Sequence, residues 1–171
     1  ARTPRGLTAA SPAGTGRSSD PALRMLDEGD AKDQLRLRLQ TSHTIPALDC
    51  ASSVACMPDG LLCIANTGGH RLVFVNPDTG QMVSTFGTRQ NNFGSFRGPR
   101  GLAVDTTSLY VSDCYNCQIK KFSLRDHSLQ ARTGSYGEGD GQLRYPNGLV
   151  VSPDGRLLFV ADSGNARICA F

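Results

Sequence analysis

The residues able to do chemistry in this chain are few and scattered. Cys114-Tyr115-Asn116-Cys117 forms a C-x-x-C pair, the spacing of dithiol redox centres and of half a structural zinc site. A closed zinc site needs four ligands, and no second pair is present. A redox pair belongs at the start of a helix, whereas the flanking Asp113 and Asn116 make this stretch a turn. His43, His70 and His127 show no H-x-x-H or H-x-x-x-H spacing. Asp49, Asp105, Asp113 and Asp162 read equally as turn or surface acids. Neither a G-x-S-x-G nucleophile elbow nor a P-loop occurs. The expectation is therefore no catalytic residue, no metal and no cofactor.

One cluster has binding chemistry. Arg97, Arg100, Lys120, Lys121, Arg125, Arg132 and Arg144 gather around Tyr115, Tyr136 and Tyr145, a mixture suited to anchoring a protein partner or stacking single-stranded RNA. Asp105, Asp126, Glu138 and Asp140 are interspersed and dilute the field. A formal net charge of only +3 does not recommend nucleic acid or an anionic membrane, so a solvated or protein-binding surface is expected. No run of 18 apolar residues occurs, and the chain reads as soluble, without a membrane span.

These residues sit on elements that repeat. Tyr145 to Phe171 holds two apolar runs, Gly148 to Ser152 and Arg156 to Ala161, joined by the turn Pro153-Asp154-Gly155. A second turn, Asp162-Ser163-Gly164-Asn165, leads into Arg167 to Phe171, so three antiparallel strands are predicted in succession. Pro99 to Asp105 aligns with Pro146 to Ser152 at a shift of 47, and Asp113 to Ile119 aligns with Asp162 to Ile168 at 49. A third copy places Pro58-Asp59-Gly60 on Pro153-Asp154-Gly155 at a shift of 95, and Asn66 to Leu72 on Asp162 to Ile168 at 96. The predicted strands of this first copy lie near 53–57, 61–65, 71–75 and 81–86, and those of the next near 101–105, 108–112, 118–123 and 129–133. Glycine-rich crossings, 88–98 and 134–145, connect the copies.

The pattern resembles the NHL repeat: P-x-G and an apolar run, a second run ending V-x-D, then x-x-N-x-R-I-x-x-F and a glycine-rich return. Gly148, Val160, Asp162, Asn165, Arg167, Ile168 and Phe171 fit it, as do Gly101, Val111, Asp113, Asn116, Ile119 and Phe122. In the first copy Asn66 stands for the aspartate and Gly69 for the asparagine; in the second, Gln118 replaces the arginine. The resemblance implies an all-β fold of four-stranded antiparallel β-propeller blades, commonly six to a ring. Three repeats are expected, about 45–98, 99–145 and a truncated 146–171, within a propeller portion 34–171. Since a propeller takes roughly 4 to 8 blades, the ring is expected to be incomplete and the chain a fragment of a longer protein, needing further blades or a second chain to close.

The resemblance implies a non-catalytic scaffold that presents loops to a protein partner, within a ubiquitin-ligase-type or other multidomain protein. Single-stranded RNA bound through a basic face is one alternative. A propeller hydrolase or lyase with a metal in its channel is another. Mechanically, D-x-x-N fixes the turn between second and third strands by bonding nearby backbone N–H groups, while Gly101 and Gly148 begin strands where crowding near the ring axis excludes a side chain.

Residues 1–33 are expected to be a linker, with 1–22 rich in Ala, Ser, Thr, Gly and Pro. Their Arg and Ser content also resembles an organelle-targeting segment. A short helix carrying Leu23 and Leu26 follows, and Leu35, Leu37 and Leu39 alternate with Arg36 and Arg38 as a strand should. Cys56, Cys63 and Cys169 fall in predicted strands and are expected to be core cysteines of a reducing compartment, the cytoplasm.

Overall fold

The computed structural model describes Ile45, residues 48–87 and residues 94–171. The linker, the helix near Leu23, the alternating segment 34–40 and His43 lie outside the described residues. Three antiparallel sheets follow one another along the chain. The first holds β1 (Ala51–Cys56), β2 (Leu62–Asn66), β3 (Arg71–Val75) and β4 (Met82–Phe86), in that order across the sheet. The second repeats it with β5 (Pro99–Val104), β6 (Ser108–Asp113), β7 (Gln118–Ser123) and β8 (Leu129–Thr133). The third has β9 (Pro146–Val151), β10 (Leu158–Asp162) and β11 (Arg167–Ala170). These are propeller blades, and they do not close a ring. The strand expectations hold to within two residues at most ends, because Pro-Asp-Gly and D-x-x-N punctuation marks where pairing must stop. Gly60 and Gly155, at φ +87° and +70°, take the left-handed position that such turns require.

β5 lies against β1 on one side and β9 on the other, so these first strands are the innermost. Period-two alternation gives each blade two apolar faces. Cys63, Ala65, Leu72 and Phe74 of the first meet Leu102, Leu109, Val111 and Phe122 of the second. The other face of the second blade, through Ala103 and Ile119, meets Leu158 and Val160 of the third. Each crossing segment drops one apolar plug between the blades that it connects: Phe96 into the first interface and Leu143 into the second. The faces at either end differ. On the first blade Ile64, Val73 and Val75 are covered by Ile45 and Leu48. On the third, Val150 and Ile168 stand exposed.

Two expectations about buried residues need correction. Cys63 is fully buried, its thiol pushed up to about 12 by burial, but Cys56 is exposed and Cys169 half-buried. Cys56 points to the face of β1 away from the second blade. Gly148 is also exposed, and a Cβ there would meet only the Ala161 side chain at 3.9 Å, whereas at Gly101 it would lie 1.9 Å from the Asn147 carbonyl oxygen. Crowding acts only where the next blade is present.

Candidate functional site

Every D-x-x-N turn is the centre of the same device. A single 3₁₀ turn, Cys114–Asn116 or Ser163–Asn165, leads to a left-handed residue, Cys117 or Ala166, that reverses the chain into the third strand. The D-x-x-N pattern predicts that the aspartate bonds neighbouring N–H groups. Instead Asp113 Oδ1 accepts from Arg97 N at 2.6 Å, and Asp162 Oδ1 from Arg144 N at 2.6 Å, both on the incoming crossing segment. The other oxygen accepts from Asn116 or Asn165 at 2.7 Å. Each carboxylate therefore clamps a long loop to the turn, and the asparagine holds the carboxylate.

The fully buried carboxylates require a cation. At Asp162 it is Arg167, whose Nε lies 2.9 Å from Oδ2 while its terminal nitrogens donate to the carbonyls of Glu138, Gly139 and Gln142. In the second repeat Gln118 occupies the arginine position. Lys120, two residues along the same strand and so on the same face, reaches Asp113 Oδ2 at 2.7 Å and donates to the Ser95 carbonyl. Lys120, expected among the surface cations, is buried and committed to this pair. Burial works against the charged form of Asp162, but hydrogen bonds from Arg144 N, Asn165 and Arg167 outweigh it and hold its pKa below 3.8.

The clamps leave a polar surface at the turn end of the blades. Arg100 lies over the Tyr115 ring at 5.9 Å, and Tyr115 meets Tyr145 edge to face at 6.5 Å. Arg144 lies over Tyr136 at 5.9 Å and pairs with Glu138 at 3.5 Å. The three tyrosines are 44% to 63% exposed, and Arg97 is exposed beside them. Five further predicted residues do not join this surface. Lys121 and Arg132 line a groove of about 210 Å³ between the second and third blades, with Tyr110, Leu157 and Phe171, and Arg125 lies in the β7–β8 hairpin at the opposite end. Gly101 is buried and Gly148 is on the open face. Asp105 accepts hydrogen bonds from Thr107 N, Ser108 N and the Tyr110 hydroxyl, a hairpin cap.

Cys114 and Cys117 are unpaired and buried in the turn. His70 is half-buried and accepts at Nδ1 from Gly98 N. His127 stacks on Phe74 at 5.3 Å. Among the described residues no group of three or more His, Cys, Asp or Glu could hold a metal ion, and no described helix is long and apolar enough to cross a membrane.

Residues 96–122 and 143–171 match the family described as NHL repeat. No curated protein matches the chain. Among solved structures, an auxiliary nutrient binding protein from Bacteroides thetaiotaomicron is similar at a TM-score of 0.54 and 15% identity, over 68% of this chain and 36% of that one. A catalytically inactive virginiamycin B lyase from Staphylococcus aureus with quinupristin is similar at 0.52 and 10%, over 75% and 43%. A streptogramin B lyase gives 0.51 and 11%, over 71% and 40%. At such identities the likeness concerns the fold. The chain spans less than half the length of each of these structures.

Proposed function

We propose, from the premise that this chain is an NHL-repeat protein built of propeller blades, that it is a non-catalytic scaffold whose turn end binds a protein partner. The observation that carries the reading is the exposed array of Tyr115, Tyr136 and Tyr145 braced by Arg100 and Arg144. Rings and guanidinium groups held in place by neighbours lose little entropy on binding, and such side chains dominate interface energetics. The clamps support it, since they tie the crossing segment that carries Tyr136, Arg144 and Tyr145 to Asp162, and the segment leading into Arg100 to Asp113 beside Tyr115. The reading places the blades in a larger ring, completed by further blades or a second chain, within a multidomain protein of ubiquitin-ligase or other type. Unpaired thiols at the exposed Cys50 and Cys56 favour a reducing compartment such as the cytoplasm.

The test is affinity capture with the chain and with a Tyr115→Ala, Tyr145→Ala, Arg100→Ala triple variant of equal Tm, each with and without ribonuclease, followed by reconstitution with the purified partner. A partner that binds directly, survives ribonuclease and is lost in the variant supports the reading. Retention by the variant overturns it. Loss on ribonuclease treatment, with strongly salt-dependent binding, overturns it in favour of single-stranded RNA on the same rings.

A further inference from the structure

An interface between two blades has three parts: the face that one blade turns forward, the face that the next turns back, and the plug on the crossing segment between them. The two ends of the row carry these parts separately. Cross-strand partners share a face of their sheet. On the first blade Val54 pairs with Ile64 and Ile64 with Val73, as Leu102 pairs with Val111 and Val111 with Lys120 on the second. Val54 and Leu102 therefore hold the same position of the backward face. Leu102, covered by the first blade, is 7% exposed, whereas Val54 is 60% exposed.

The plug of this end is in place. Asp49 N donates to Asn66 Oδ1 as Arg97 N and Arg144 N donate to Asp113 and Asp162, so Leu48 stands one residue ahead of its clamp, like Phe96 and Leu143. Those two are buried between blades; Leu48 packs on the first blade and is only half-buried. The other end carries the forward face. Val150 pairs with Phe159 as Ala103 pairs with Tyr110, and Ile168 pairs with Ala161 as Ile119 pairs with Ser112. Ala103 and Ile119 are buried against the third blade, Ile119 at 3% exposure, while Val150 and Ile168 are open, Ile168 at 69%. One end thus offers a forward face without a plug, and the other a plug and a backward face without a forward one.

We propose that the partner of these ends is a second copy of this chain: the first blade of one copy, through Leu48 and Val54, docks on Val150 and Ile168 of the third blade of the other. Each copy has one end of each kind, so two copies make the same contact twice about a twofold axis and leave no end open. Three blades from each copy bring the ring within the roughly 4 to 8 blades of a propeller. The inference rests on the reading of these blades as part of a larger ring, and it uses none of the turn-end tyrosines.

The test is sedimentation of the whole chain, of Val54→Lys, of the Val150→Lys, Ile168→Lys variant, and of an equimolar mixture of the two variants. The wild type should be a dimer and each variant alone a monomer, because each blocks both contacts of its own pair. The mixture should form a one-to-one heterodimer, since the forward face of one variant and the plug end of the other are intact. With one contact in place of two, its dissociation constant should lie on the order of 100-fold above that of the wild type. Third blades meeting each other would leave Val54→Lys dimeric and overturn the proposal, as would a mixture that stays monomeric or a wild type that forms open polymers. A monomeric wild type overturns it whatever the variants do. The Tyr115→Ala, Tyr145→Ala, Arg100→Ala variant should dimerise as the wild type does, so loss of the protein partner and loss of the second copy are read separately; a monomeric triple variant overturns the assignment of the contact to the blade faces.

Discussion

A buried carboxylate is stable only with its complement of donors, and this condition explains the side chains around each turn. Arg167 and Lys120 come from different strand positions yet reach the same oxygen, because residues two apart on a strand share a face. Lys120→Met should therefore cost about 3–5 kcal/mol in denaturant unfolding, by leaving Asp113 buried and unpaired. Adding Asp113→Asn should recover part of that loss; a double variant no better than the single would show that the pair is not what matters. Asp105, Asp126, Asp154 and Asp162 all have carboxyl pKa values below 3.8, Asp126 at about 2 through its bonds to Ser128. Each folded-state value is depressed, so each contribution is present above the unfolded pKa and is lost as pH falls through the folded one. Stability should be level above about pH 5 and decline from about pH 4 towards pH 2, measurable as Tm against pH.

Blades pack through their strands and, at the centre, through their backbones. The Ser112 hydroxyl accepts from Gly101 N and donates to the Asn147 carbonyl, both at 2.7 Å, joining β5 and β9. Gly101→Ala should destabilise by about 2–3 kcal/mol, because its Cβ would strike the Asn147 backbone, while Gly148→Ala should be nearly neutral in this chain. Equal effects in urea titrations would refute the close-approach explanation. The groove holding Lys121 and Arg132 follows from the same repeat logic. In the interface between the first and second blades, His127 stacks on Phe74 and Leu129 packs beside it. Lys121 is the counterpart of Phe74 one repeat later, so the groove is the place that a fourth strand and its hairpin occupy in the second blade.

At the scale of the molecule, the open face of the third blade presents apolar side chains to solvent, with Ile168 69% and Val150 57% exposed. This face should drive self-association, visible as concentration-dependent sedimentation, and a Val150→Lys, Ile168→Lys variant should sediment as a monomer with unchanged Tm. Persistent association of that variant would locate the contact elsewhere. The strands, their order within each blade and the turns were legible in the sequence, because hairpins are local and their periodicity and punctuation are written in consecutive residues. Which cation neutralises which carboxylate was not legible: Lys120 reads as a surface lysine until β7 is paired and the crossing segment closes over it. Nor could spacing separate Gly101 from Gly148, or Cys63 from Cys56, since burial depends on what the neighbouring blade supplies. Local backbone chemistry determined the blades, and contacts between residues far apart in sequence decided which of their side chains remain free to bind.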